Sequence, residues 1–208
     1  MDEQRVGAIL EALMELYPEA RAELRFSNPF ETLVATILSA QCTDVRVNQV
    51  TEPLFRDYPD AKAMARLTPE ELEPMIRTCG LYHAKARNII AACQALVERY
   101  DGEVPSTRKE LMALPGVGQK TAGVVLLAAF GDDQIPVDTH VFRVSRRIGL
   151  ADANTPEKVE AQLRALLPRE MWSRAHHLLI WHGRRCCSAR APECGACPLA
   201  DGLCDRKI

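Results

Sequence analysis

The sequence predicts an all-α protein made of many short helices. Apolar residues recur at i, i+3 and i+4 spacing along most of its 208 residues. Asn-Pro and Thr-Pro pairs stand ahead of several such stretches, and glycines close others, as helix starts and stops do. No segment carries the two-residue alternation of a half-buried strand.

The elements follow in order. Residues 6–16 place Val6, Ile9, Leu10, Leu13 and Met14 on one face. Asn28-Pro29 opens the next helix, with asparagine as cap and proline where its missing N–H does no harm. Phe30, Leu33, Val34, Ile37 and Leu38 make that helix apolar almost all round, which predicts central burial. Ser39-Ala40-Gln41-Cys42-Thr43-Asp44 turns polar and starts a helix through Val47, Val50, Leu54 and Phe55. Thr68-Pro69-Glu70-Glu71 reads as a capping box, opening a short helix that stops at Gly80. Residues 84–100 form another, with Ile89, Ile90, Cys93, Leu96 and Val97 inward. Thr107 and Glu110 read as a second capping box, for a short helix ending near Leu114. After Gly116–Gly118 a helix runs from about Gln119 to Phe130, and Gly131 ends it. Asp138 stands at a cap position ahead of Val141, Phe142, Val144 and Ile148, and Gly149 closes that helix. Thr155-Pro156 begins one reaching Leu167, and a last helix runs from about Arg169 through Trp181.

At this length the chain forms one domain or two small ones, with a sizeable core. No apolar run approaches the ~18 residues of a membrane span. The acidic, mixed start Met1-Asp2-Glu3-Gln4-Arg5 does not read as a signal peptide, so a cytoplasmic protein is expected. The net charge of −2 hides an asymmetry: residues 1–78 hold 8 Lys/Arg against 14 Asp/Glu, and residues 140–192 hold 10 against 4. One basic face on an acidic protein suits a nucleic-acid partner.

Of the eight cysteines, Cys42, Cys79 and Cys93 lie singly in apolar helical contexts and read as core residues. The other five crowd into the last 23 residues. In a reducing cytoplasm such a cluster reads as a metal site rather than a disulfide framework. Cys187, Cys194, Cys197 and Cys204 are separated by six, two and six residues, with Cys186 as an extra thiol. Four thiolates suit zinc or an iron–sulfur cluster, and spacing alone does not choose.

The stretch Leu114-Pro115-Gly116-Val117-Gly118-Gln119-Lys120-Thr121-Ala122-Gly123 carries the chemistry. It is no Walker loop, because Gln119 precedes the lysine and Leu114 stands where the earlier glycine belongs. What it offers is a glycine turn leading into a helix N-terminus, where backbone N–H groups and the helix dipole favour a phosphate. Lys120 adds an amine there, and Asp138 adds a carboxylate downstream in Val137-Asp138-Thr139-His140. The alternative is an ordinary helical turn with a solvated lysine and a plain helix cap.

These two segments, with Ser39-Ala-Gln-Cys-Thr-Asp, Gly80-Leu-Tyr, Lys85-Ala-Arg-Asn-Ile-Ile and Gly102-Glu-Val-Pro, resemble the helix–hairpin–helix DNA glycosylase superfamily, and within it the endonuclease III family. The resemblance implies two helical domains with a DNA-binding cleft between them. One spans 24–132, with six helices and the helix–hairpin–helix at about 107–130. The other joins 1–23 to 133–208 and carries a cluster loop over 187–204. It implies a bifunctional base-excision enzyme, monomeric and bacterial in type. Such an enzyme removes oxidised or ring-saturated pyrimidines from double-stranded DNA and cleaves the abasic site by β-elimination. Lys120 and Asp138 take the catalytic positions. Gln41 and Leu81 take those that fill the gap left by an extruded nucleotide. Gly116, Val117 and Gly118 take the phosphate-binding turn, and His140 stands beside Asp138 in reach of DNA. The family's cysteine spacing is six, two and five, so the last interval here is one residue longer. The resemblance chooses a four-iron, four-sulfur cluster on Cys187, Cys194, Cys197 and Cys204. The adenine-specific mismatch branch shares the cysteine loop but lacks the lysine. A non-catalytic DNA-binding module has no need of Lys120 and Asp138 together.

Overall fold

The structure, a computed structural model, describes residues 2–205, and among these no strand forms. The helices in order are α1 (Glu3–Leu16), α2 (Pro29–Ser39), α3 (Asp44–Asp57), α4 (Ala61–Met64), α5 (Pro69–Ile76), α6 (Tyr82–Tyr100), α7 (Arg108–Met112), α8 (Gln119–Phe130), α9 (Thr139–Ile148), α10 (Pro156–Leu166) and α11 (Trp172–Arg185). Short 3₁₀ turns cover Arg77–Cys79, Arg169–Met171 and Cys194–Ala196. The chain divides into two compact units, one of residues 22–132 and one joining the residues up to Arg21 to those from Asp133 onward.

In the 22–132 unit α2 is the central element and packs against α8, α3 and α6. Asn28 caps it through Glu31 N–H, with Pro29 at its first position. Leu33, Val34, Ala35 and Leu38 are buried on every side, as an all-round apolar helix requires. Its two buried threonines leave no hydroxyl unmet: Thr32 donates to the Asn28 carbonyl and Thr36 to the Thr32 carbonyl. Complete burial of a leucine such as Leu38 contributes about 1.5–3 kcal/mol. Thr68 and Glu71 form the full reciprocal capping box of α5. At Thr107 the box is only half made. Its hydroxyl accepts from Glu110 N–H, but the Glu110 carboxylate takes a bond from that same hydroxyl instead of the backbone. Val97, expected inward, is 37% exposed, because Leu96, one residue earlier and about 100° round the helix, takes the buried side there.

The other unit packs α9 against α11, and α1 against α11. Arg174 ties down the exit of α1 by donating to the carbonyls of Tyr17, Pro18 and Ala20. Arg5 donates to the carbonyls of Ile148 and Leu203 and pairs with Asp205, holding the C-terminal loop to α1.

Candidate nucleic-acid interface and metal-binding loop

The turn between α7 and α8 uses its two glycines differently. Gly116 has φ +76°, and a Cβ there would stand 2.7 Å from Cβ of Asn88 on α6. Both conformation and space therefore demand glycine. Gly118 lies in extended backbone, φ −91° and ψ −177°, and a Cβ on it would meet nothing within 4 Å. Neither strain nor packing inside the chain accounts for that glycine. Val117, expected in the phosphate turn, buries its side chain, and its amide donates to the Leu114 carbonyl at 3.2 Å. The donors turned outward are thus those of the α8 N-terminus, which no side chain caps. Lys120 is the second residue of α8 and is exposed. The arrangement offers an anion the positive end of a helix, with an amine one residue in.

Gln41 and Leu81 share a rare conformation. Among the described residues only Gln41 (φ 54°), Leu81 (φ 49°) and Asp101 (φ 52°) have positive φ without being glycine. Side chains there clash with the following carbonyl, at about 1–2 kcal/mol each. Both residues are exposed, Leu81 by 60%. The two arms lie together, since a Cβ built on Gly80 would come within 3.8 Å of the Gln41 carbonyl oxygen.

Asp138 caps α9, with Oδ1 accepting from the N–H groups of His140 and Val141, both at 2.8 Å. The cap occupies that oxygen and leaves Oδ2 outside it. His140 is half-buried against Gly183 of α11, where an added Cβ would stand 3.0 Å from its Nδ1. Arg143 donates to His140 Nδ1 at 3.2 Å and to the Gly183 carbonyl at 2.8 Å. Burial lowers the His140 pKa and favours the neutral ring, with Arg143 and Arg184 adding to the effect and Asp138 and the Gly183 backbone opposing it. Lys120 belongs to one compact unit, and Asp138 and His140 to the other.

The cysteine-rich loop follows α11. Cys187, Cys194, Cys197 and Cys204 are all half-buried. Arg147 donates to Cys187 Sγ at 3.5 Å, and Cys204 Sγ donates to the Arg147 carbonyl at 3.4 Å. Arg143 Nε donates to the Cys187 carbonyl at 3.1 Å. Among the described residues, the His/Cys group with ligand atoms within 4.8 Å of one another is His182, Cys186 and Cys197. It shares only Cys197 with the expected four. His182 is buried and neutral, its pKa pushed down to about 4 by desolvation. Its Nδ1 lies 3.3 Å from the Tyr17 hydroxyl and its Nε2 lies 3.7 Å from Cys197 Sγ. Burial and neighbouring thiols push Cys186 up to about 12. This donor set of thiols and one imidazole fits a soft metal centre and not a hard cation. Arg147 and His182 escaped sequence reasoning. Only their closeness in sequence to helix ends and cysteines hinted at them.

The chain as a whole answers to known proteins. Residues 34–169 match the family described as HhH-GPD superfamily base excision DNA repair protein. The chain belongs to that superfamily. Within it, the chain is 50% identical over 198 residues to the endonuclease III of Synechocystis sp., covering 95% of this chain and 90% of that one. Two solved structures superpose with TM-scores of 0.94 at 46% identity, each covering 99% of this chain. One is a non-covalent endonuclease III–DNA complex, 96% of whose chain is matched, and the other a trapped endonuclease III–DNA covalent intermediate, matched over 97%. Among the described residues no helix is long and apolar enough to cross a membrane.

Proposed function

We propose that this chain is a base-excision DNA glycosylase with abasic-site lyase activity, acting in the cytoplasm as a monomer on oxidised or ring-saturated pyrimidines in double-stranded DNA. The observation that carries the reading is an exposed lysine at the uncapped start of α8, behind a glycine that opens onto empty space. The likeness to a trapped covalent DNA intermediate supports it.

The α8 N-terminus and Gly118 bind a backbone phosphate, a contact that positions without reading sequence. Gln41 and Leu81 fill the space vacated when the damaged nucleotide leaves the stack. Lys120 Nζ then attacks C1′ of the sugar. The N–C bond forms, the glycosidic bond breaks, and the base departs with a proton. The C1′–O4′ bond of that adduct then breaks, O4′ taking a proton, and the open-chain imine so formed acidifies the C2′ proton. Its loss to a base expels the 3′ phosphate and breaks the strand. Asp138 serves through Oδ2, taking a proton from the nucleophile or stabilising positive charge on the sugar, while Oδ1 keeps α9 capped. His140, beside Asp138, contacts the DNA or the sugar.

Cys187, Cys194, Cys197 and Cys204 hold a four-iron, four-sulfur cluster. When bound, it cross-links the C-terminal loop. That loop and the end of α11 present Arg184, Arg185 and Arg190, all exposed, to the phosphate backbone. Borohydride trapping tests the whole reading. Wild type is expected to become covalently linked to abasic-site DNA, and Lys120→Ala to lose the adduct. An adduct of undiminished yield in that variant refutes the lysine assignment.

A further inference from the structure

Lys85 is a charged side chain in the core of the 22–132 unit, only 4% exposed. The titratable groups that face it are the thiols of Cys42 and Cys79, not a carboxylate. A lone buried ammonium is unfavourable unless its hydrogen bonds answer a specific need. Here they do. Nζ donates to the Leu38 carbonyl at 2.8 Å and to the Cys79 carbonyl. Leu38 lies in the last turn of α2, three residues before Gln41. Cys79 closes the 3₁₀ turn, two residues before Leu81. The Lys85 amide itself donates to the Leu81 carbonyl at 3.1 Å. One residue therefore reaches the roots of both arms.

The arms need such a restraint. Gln41 and Leu81 sit at φ 54° and 49°, conformations that persist only where the surroundings over-determine them. The orphan carbonyls at the end of α2 carry partial negative charge, and an ammonium meets it where an apolar residue would leave it buried and unpaired.

We propose that Lys85 is a positioning residue that clamps the Gln41 and Leu81 arms into one rigid pair, so that both enter the duplex together. This rests on the reading of Gln41 and Leu81 as the gap-filling side chains, and the test separates the two. Single-turnover base removal is measured with the full chain on two duplexes carrying the same ring-saturated pyrimidine. In one the lesion is fully paired. In the other it lies within mismatches, where extrusion is cheap. Lys85→Met is expected to slow the paired substrate by at least about tenfold, equivalent to about 1.4 kcal/mol, and to leave the mismatched substrate near the wild-type rate. A 2-aminopurine placed opposite the lesion should brighten less on binding. Lys85→Arg, which keeps a cation with several N–H donors, should restore both readouts. Gln41→Ala and Leu81→Ala should show the same split between substrates. If they do not, the gap-filling reading falls and the clamp with it. If they do while Lys85→Met keeps the wild-type ratio, the clamp alone is overturned. Equal losses on both substrates would make Lys85 a structural residue and overturn it too. Should Lys85→Met fail to fold by circular dichroism, Lys85→Gln, which keeps one donor, goes through the same comparison.

Discussion

Substituting the two turn glycines one at a time separates fold from function. Gly116→Ala forces a side chain into φ +76° and sets its Cβ 2.7 Å from Cβ of Asn88. The conformation costs about 1–2 kcal/mol and the overpacking about 1–3 kcal/mol. Together the variant should be about 2–5 kcal/mol less stable. The clash predicts which second change relieves it. Asn88→Gly removes the offending Cβ, whereas Asn88→Ala removes only the Cγ and Nδ2, each 3.1 Å from the built atom. Asn88→Gly should therefore recover part of the loss, beyond its own cost of up to about 1 kcal/mol in a helix. Asn88→Ala should recover little. Gly118→Ala inverts the pattern. Its extended backbone suits alanine and its Cβ meets nothing, so stability should change by at most about 1 kcal/mol, the scale of an N-cap exchange. If a phosphate sits there, the new methyl group meets it, and affinity for a reduced abasic-site duplex should fall by about tenfold or more, about 1.4 kcal/mol. Urea denaturation and fluorescence anisotropy at one fixed salt concentration measure the two quantities. Wild-type affinity in Gly118→Ala refutes the phosphate site. An unchanged urea midpoint in Gly116→Ala refutes the turn geometry.

Three further outcomes follow from the remaining groups. Asp138→Asn keeps an oxygen for the α9 cap, so stability should hold within about 1 kcal/mol, while single-turnover base removal drops by about a hundredfold or more. A near-normal rate would leave Asp138 as a cap only. Metal analysis of purified chain should find iron and acid-labile sulfide at about four each, lost in Cys187→Ser and Cys194→Ser and kept in Cys186→Ser; colourless protein holding zinc contradicts the cluster. Burial lowers the pKa of His140 and His177, and brings His182 to about 4. The unfolded chain binds protons at these sites from about pH 6.5 downward, where the fold refuses them. Stability is thus fully present above that pH and is lost as pH falls toward 4. Urea midpoints measured from pH 7.5 to 5 should decline, and a flat or rising trend contradicts the neutral histidines.

Most helices were legible because their signals are local. Asn28-Pro29, Thr68-Pro69 and Thr155-Pro156 each combine a capping side chain with a proline at the first helical position, and each starts a helix there. The misreadings have separate causes. α4 spans four residues, Ala61–Met64, too short to display a period. Val97 follows Leu96 near the end of a 19-residue helix, and of the two apolar neighbours Leu96 takes the buried side. At Thr107 the residue pattern of a capping box is present, but the Glu110 rotamer decides where its carboxylate bonds.

The site divides along the same line. Lys120, Asp138, Gly116 and Gly118 stand in two short segments whose types and spacing state their chemistry. The left-handed conformations of Gln41 and Leu81 were not legible, since propensity argues against glutamine and leucine there. The hydrogen bonds of Lys85 to carbonyls 47 and 6 residues away could not be read either. Local and global preferences agree over most of this chain, as a foldable sequence requires. Where they conflict, at two exposed side chains in strained backbone, nothing in the fold's own stability calls for the arrangement. A chain selected only to fold would place glycine or asparagine at 41 and 81. Conflicts of this kind are expected at functional sites. Restoring the local preference therefore has an expected result: Leu81→Gly should stabilise the unit by about 1 kcal/mol or less while slowing removal of a fully paired lesion. Loss of stability on that substitution would show that Leu81 serves the fold and not the duplex.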